Sequence, residues 1–280
     1  MGMTRSELDA VAQIMRLAAR EVIVPSFGCL EDGAIRCKSG PLDLVTDADE
    51  AAERLISAAL LARFPAARVL GEEAVAAQPD LICTLRDPGL TFVIDPIDGT
   101  ANYAAGLPLF GVMVAALRDG ETVGGAILDP IGGRMAMALR GGGAWECDAD
   151  GRETPLAAAA PVAPDAMTGA ASWRYMAPPR RARVAAGLCD VAGAWDYRCA
   201  AHEYLMLARG RCHFLLFSRM QPWDHLAGLL IHAEAGGYAT CLDGRPYGET
   251  HAAEGLLCAP DKASWLALRG VLLGGADGGT

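Results

Sequence analysis

Two carboxylates and a hydroxyl crowd into the run Phe92-Val93-Ile94-Asp95-Pro96-Ile97-Asp98-Gly99-Thr100. Apolar residues that lead straight into Asp95 read as a strand, and the proline, second aspartate and glycine read as its turn. Aspartates three positions apart can converge on a hard cation when a strand ends between them. The Gly99-Thr100 step adds bare backbone N–H groups and a hydroxyl, which are donors for an anion. A cation site that abuts an anion site is what metal-assisted phosphate chemistry requires.

Other acidic groups stand where elements should end. Asp43, Asp47 and Asp49 lie in a polar, turn-rich segment over 38–49, ahead of a predicted helix over 50–63. Glu72 and Glu73 follow a short predicted strand at 68–71, and Asp224 opens a predicted helix over 223–234. Each has an ordinary reading by itself: Asp49 and Asp224 as helix caps, Glu72-Glu73 as a solvated turn, Asp95-Pro96 as a plain turn. Four such clusters in this order point instead to one shared site.

The supporting elements follow from pattern. Leu8, Val11, Met15, Ala18, Ala19 and Val22 mark one face of a helix over 4–24 that should stop at Pro25. A short strand is expected at 35–38 and another at 89–95. Strands at 110–117 and 122–128 form a hairpin about Asp119-Gly120, and 135–139 and 144–147 continue that sheet around Gly141-Gly142-Gly143. Helices follow at 179–188 and 200–208, with a strand at 212–217. The Ala/Pro-rich stretch 157–164 is the candidate boundary between an N-terminal half, 1–155, and a C-terminal half, 156–280.

A chain of 280 residues, 52% apolar and 21% charged, can bury a large core as one domain or two halves. Its net charge of −10 argues against a broad nucleic-acid surface, which would need Lys and Arg. Nine scattered cysteines without a CxxC pair suit neither a zinc cluster nor a disulfide framework; reduced thiols in a cytoplasmic protein are expected. No apolar run is long enough for a membrane span.

Gly71-Glu72-Glu73, the Asp95–Thr100 run and Trp223-Asp224-His225-Leu226-Ala227-Gly228 resemble the signatures of the inositol monophosphatase family. So does Asp43-Leu44-Val45-Thr46-Asp47-Ala48-Asp49, with Lys38 before it. The likeness runs from 38 to 237. It implies an α+β fold, the layered αβαβα sandwich of the inositol monophosphatase and fructose-1,6-bisphosphatase type, and a homodimer. It also implies a lithium-sensitive, magnesium-dependent phosphomonoesterase acting on a small phosphorylated alcohol or sugar such as inositol 1-phosphate. Glu72, Asp95 and the Ile97 carbonyl would hold a first magnesium, and Asp95, Asp98 and Asp224 a second. A weaker third ion would lean on Glu72 through water. Thr100, paired with Asp49, would orient the attacking water and help take its proton, while the N–H groups of Gly99 and Thr100 hold the phosphate. Asp49, Glu72 and Thr100 thus form the expected catalytic set.

The pattern departs from the family where the leaving group should fit. Inositol-binding members carry a glutamate about seven residues before the aspartate that matches Asp224; here that position is Phe217, with Arg219 close by. Those members also have a glycine and small residues after an arginine where this chain reads Arg198-Cys199-Ala200-Ala201-His202-Glu203. Phe217 and Arg219 are therefore the candidate substrate-selecting residues. Histidinol phosphate, a 3′(2′),5′-bisphosphate nucleotide and fructose 1,6-bisphosphate are alternatives, and Arg219, if it faces the site, favours a second anionic group. A reading from another class is a regulatory binding protein with a vestigial site, as some relatives partner RNA-processing machinery; the complete acidic set argues against it. His202-Glu203 and His232-Ala233-Glu234 lack HExxH spacing, and Gly141-Gly142-Gly143 lacks the Lys-Ser/Thr of a phosphate loop. Trp173, Tyr175 and Trp195 suit pocket lining and plain packing equally.

Overall fold

Helix α1 (Arg5–Ala18) starts at a capping box, in which Thr4 accepts from the Glu7 N–H and the Glu7 carboxylate accepts from the Thr4 N–H. Leu8, Val11, Met15 and Ala18 recur at helical spacing and are buried. The helix ends next to Pro25, as expected, but changes its winding first. The chain widens into a π turn at Ala19–Ile23 and runs on as α2 (Val24–Ser26), with Pro25 in its first turn. The wider turn accommodates a residue with no N–H and a bulky ring, and the helical run ends at Ser26, one residue past the proline.

The computed structural model describes residues 2–31, 33–40, 43–248 and 255–274, without the side chains of Ser39 and Asp43. The expected loop over 38–49 is largely an antiparallel hairpin, β1 (Ile35–Gly40) and β2 (Asp43–Thr46). Thr46 then caps α3 (Asp47–Arg63), and Asp49 is the third residue of that capping box, not the cap itself. Strand β3 (Arg68–Gly71) leads into the short helix α4 (Glu72–Ala77). Strand β4 (Leu90–Asp98) continues past the predicted stop at Asp95, with a register break between Asp95 and Asp98 that accommodates Pro96. Helix α5 (Thr100–Ala104) starts directly after Gly99, whose φ is 85°. A meander follows: β5 (Gly111–Arg118), β6 (Glu121–Leu128), β7 (Met135–Leu139), β8 (Gly143–Cys147) and the edge strand β9 (Glu153–Pro155). Asp119 and Gly120 make the expected two-residue turn, both at positive φ.

The remainder comprises β10 (Thr168–Ala171), α6 (Pro178–Gly187), β11 (Gly193–Trp195), α7 (Ala200–Ala208) and β12 (Phe214–Phe217), then α8 (Pro222–Glu234), β13 (Tyr238–Cys241), β14 (Leu256–Ala259) and α9 (Lys262–Leu273). Among the described residues the strands form the β1–β2 hairpin, a seven-stranded sheet in the order β3-β4-β5-β6-β7-β8-β9, and a five-stranded sheet in the order β11-β10-β12-β14-β13.

Strand alternation sorts the core into layers. Phe92, Ile94, Val112 and Val114 pack against Leu8, Met15, Ile56 and Leu60 of α1 and α3. Their neighbours Val93, Met113 and Ala115 face the other way, onto Tyr204 and Leu205 of α7 and Leu230 and Ile231 of α8. Leu215, Phe217 and Cys258 of the five-stranded sheet close that middle layer. The sheet's outer face, with Phe214, Leu216 and Leu257, packs on Val184, Trp265 and Leu268 of α6 and α9. The result is the α+β, αβαβα sandwich. Its middle helical layer is tight: a Cβ at Gly228 of α8 would sit 2.3 Å from the Tyr204 ring, and one at Gly125 of β6 would sit 3.0 Å from the Ala227 carbonyl. No described helix is long and apolar enough to cross a membrane.

Candidate active site

Asp95 shares the β4 face of Val93 and so points into the middle layer. The register break turns Asp98 to the same side, and α8 opens with Pro222 and presents Asp224 in its first turn. Carboxylate oxygens of Asp95, Asp98 and Asp224 lie within 4.8 Å of one another. Asp98 is anchored from α7, accepting from the Ala201 N–H at 2.6 Å and the Cys199 thiol at 3.0 Å. Asp95 is 2% exposed, and its Oδ1 has no hydrogen-bond partner among the described residues. Burial, then the charges of Glu72, Asp98, Asp224 and Asp49, hold the Asp95 carboxyl well above the usual carboxylate range. Burial, then Asp98 and Glu72, do the same to Asp224, against the pull of Arg219. Convergent carboxylates with a buried, orphaned oxygen are costly unless a cation joins them. An all-oxygen donor set of this kind fits magnesium or calcium.

Glu72 borders the same cavity. Its carboxylate is 2.8 Å from Lys38 Nζ, which also reaches Glu73 at 2.5 Å. Burial works to lower the Lys38 ammonium, but the two glutamates outweigh it and raise it. Burial pushes Glu73 up to about 7 against that same lysine. The start of α4 is held by Glu53 of α3, which accepts from the N–H groups of Glu73 at 2.8 Å and Ala74 at 2.9 Å. The sequence reading missed Glu53. Its signal is spacing: four residues after Asp49, it shares that residue's helix face. Glu53→Ala should cost about 1–3 kcal/mol in denaturant unfolding and weaken binding of any cation that needs Glu72; Glu53→Gln, which keeps an acceptor, should lose less of both. Equal losses in the two variants would rule out this positioning role.

Thr100 Oγ1 stands 3.1 Å from Asp49 Oδ1 and 3.0 Å from the Ile97 carbonyl, so one hydroxyl proton has two acceptors within reach. Asp49 Oδ2 accepts from the Thr46 N–H at 2.8 Å and hydroxyl at 2.5 Å. Burial pushes the Asp49 carboxyl up to about 6, against its Thr46 hydrogen bonds. The folded protein therefore binds this proton more tightly than the unfolded chain does, and the associated stability is lost as pH rises through about 6. Asp49→Asn should be more favourable relative to the parent at pH 7.5 than at pH 4, by about 2 kcal/mol, in chelator-treated denaturation series. A pH-independent difference would contradict this. Asp47 does not join the site: it pairs outward with Arg36 at 2.5 Å. The Asp43 side chain lies outside the described residues. At Gly99 a Cβ would come 2.9 Å from the Leu109 carbonyl and 3.1 Å from Cys199, so positive φ and close approach both require glycine.

Phe217 and Arg219 both border the cavity. Phe217 stacks on Tyr204 at 5.2 Å between centroids, and Arg219 stands over Tyr175 at 5.7 Å. His225 Nε2 is 2.7 Å from the Arg219 carbonyl and its Nδ1 3.2 Å from the Tyr204 hydroxyl. Burial lowers His225 to about 4, so the neutral ring donates to Arg219 and accepts from Tyr204. Of the three aromatics weighed above, Tyr175 reaches the cavity, while Trp173 and Trp195 pack in the cores. His202 and His232 bond to the carbonyls of Phe110 and Ala259. Arg174, Arg198 and Glu203 border the cavity without having been singled out individually as site residues.

Residues 4–270 match the model of the inositol monophosphatase family. The chain is 36% identical over 228 residues to an inositol-1-monophosphatase of Mycobacterium leprae, spanning 80% of this chain and 77% of that protein. It is 34% identical over 220 residues to a histidinol-phosphatase of Chlorobaculum parvum, spanning 77% and 78%. The crystal structure of the extragenic suppressor protein suhB from Bartonella henselae superposes with a TM-score of 0.79 at 25% identity, over 96% of this chain and 98% of that one. These likenesses define the class as phosphoric monoester hydrolase. The chain belongs to the inositol monophosphatase family.

Proposed function

We propose that this chain hydrolyses a small phosphate monoester, a phosphorylated alcohol or sugar of the inositol 1-phosphate type, with magnesium held by the acidic cluster. The observation that carries this reading is the buried, unpartnered Asp95 Oδ1 among the carboxylates of Glu72, Asp98 and Asp224. Glu72, Asp95 and the Ile97 carbonyl would hold one ion; Asp95, Asp98 and Asp224 would hold a second; Glu72 would reach a weaker third through water. When bound, magnesium supplies positive charge to the phosphate and lowers the pKa of the attacking water.

The chain's own groups do the rest. Asp49 and Thr100 form a proton relay, with the carboxylate fixing the hydroxyl that orients the water. The N–H groups of Gly99 and Thr100 would hold the phosphate oxygens. Transfer passes directly to water, and no cysteine takes part. In the two-half division at 155/156, the first half would carry Glu72, Asp95 and Asp98, and the second would carry Asp224, Phe217 and Arg219. A cytoplasmic homodimer sensitive to lithium belongs to the same proposal and rests on the family.

A panel of phosphate esters with magnesium tests the reading; turnover of inositol 1-phosphate or a close analogue is expected, and no turnover of any ester removes it. The histidinol-phosphatase relative supports a second substrate, and faster turnover of histidinol phosphate would move the substrate while leaving the reaction. For the vestigial-site reading, the deciding outcome is a partner retained by Asp95→Asn protein together with no phosphatase activity in the parent.

A further inference from the structure

Besides the acidic cluster, the cavity is bordered by Arg174, Arg198 and Arg219. Arg198 stands at φ 55°, in the left-handed region that disfavours any residue but glycine. The other described non-glycine residue there, Asp119, sits in a hairpin turn that asks for that conformation. Arg198 sits instead in a bend that Asp196 closes just ahead of α7, a place any residue tolerant of the left-handed region could fill. A bulky side chain held in a strained conformation at the wall of a reaction cavity is a sign that the side chain is used.

The surroundings hold Arg198 firmly. Its N–H donates to Asp196 Oδ1 at 2.9 Å, and its Nη2 donates to Asn102 Oδ1 at 2.7 Å. Asn102, 1% exposed, is itself locked by donating to the carbonyls of Leu109 at 2.9 Å and Tyr197 at 2.7 Å. The guanidinium is thus aimed by a neutral acceptor and, among the described residues, makes no ion pair. Most of its donors remain for a ligand. Arg174 borders the same cavity and donates to Asp196 Oδ2 at 2.5 Å, so one carboxylate fixes the Arg198 backbone and offsets the charge of Arg174.

We propose that Arg198 and Arg174 form an anion subsite for a second acidic group on the substrate. This deepens the phosphatase reading above and rests on it. The natural substrate is then a small phosphate ester that also carries a carboxylate or a further phosphate, since either presents paired oxygens to a guanidinium fork. A neutral polyol phosphate would leave the fork unused, and a cationic alcohol such as histidinol would meet like charge.

The test compares kcat/KM, with saturating magnesium, for glycerol 2-phosphate, 3-phosphoglycerate and fructose 1,6-bisphosphate. Parent protein is set against Arg198→Gly, which suits the left-handed backbone and so offsets part of the cost of losing the hydrogen bond to Asn102. At least one of the two-anion esters should exceed glycerol 2-phosphate by about 10- to 100-fold. Arg198→Gly should lower that ratio by a similar factor, mainly through KM, and Arg198→Lys should restore part of it. Arg174→Ala, at an exposed side chain, should lower the ratio in the same direction. The better of the two esters tells carboxylate from phosphate. A parent ratio near one, or a ratio unmoved in Arg198→Gly and Arg174→Ala, overturns the subsite and leaves the phosphatase reading standing. No turnover of any of the three by the parent overturns the subsite, and the phosphatase reading falls with it only if inositol 1-phosphate and histidinol phosphate also go unhydrolysed.

Discussion

Asp95→Asn should lower kcat at saturating magnesium by roughly 10³-fold or more, beyond the about 10- to 100-fold lost when groups behind a metal ligand are changed. The same substitution should make the metal-free protein more stable. Asp95 is buried beside four like charges, and its carboxyl is held well above the usual range by burial first and those neighbours second. The sign follows from proton linkage. The folded state holds this proton more tightly than the unfolded chain, so near neutral pH the carboxylate opposes folding, and the amide does not. Relief of about 1–3 kcal/mol corresponds to roughly 2–12 °C in Tm for a chain of this size. In magnesium the order should reverse, because the parent gains binding free energy that the variant has lost. Melting curves of both proteins in chelator and in magnesium read this crossing. A parent whose Tm ignores magnesium, or a variant that responds to it equally, would falsify the assignment of Asp95 as a shared ligand.

Gly228→Ala should destabilise the fold by about 1–3 kcal/mol, the cost of overpacking, although alanine favours a helix. The new methyl would fall 2.3 Å from a Tyr204 ring that is fully buried. That ring cannot move alone. It stacks on Phe217 and bonds to His225, which bonds to the Arg219 carbonyl. Folded variant protein should therefore show altered preference among substrates together with its lower denaturation midpoint. A midpoint at or above that of the parent would mean that α7 and α8 do not meet at this contact.

The chain announced its chemistry more clearly than its framework. Asp95, Asp98 and Asp224 were legible because each sits where an apolar run or a proline marks the limit of an element. Phe217 and Arg219 stood out against a resembling pattern, and both border the cavity. Strand β1 was expected at 35–38, but its partner β2 was hidden because Asp43-Leu44-Val45-Thr46 sits in a polar, turn-rich segment without alternation. Strands β10, β11, β13 and β14 span three or four residues each, too short for a period to show. The roles of Glu53 and Arg198 were out of reach for another reason. Glu53 acts through a contact made 20 residues downstream, and the conformation of Arg198 depends on Asp196 and Asn102, not on its own residue type.

Helices α1 and α3 open on the same device, a threonine followed three residues later by an acid. Around Thr4 and Glu7 it lies at the surface; around Thr46 and Asp49 it is buried, with the free Asp49 oxygen turned to Thr100. Two identical motifs therefore live under different selection. In a library screened for folding alone, both acids should drift toward any side chain that can accept a hydrogen bond. In a library screened for turnover, position 7 should keep that freedom while position 49 narrows to aspartate, because the residue that starts a helix there also serves the chemistry.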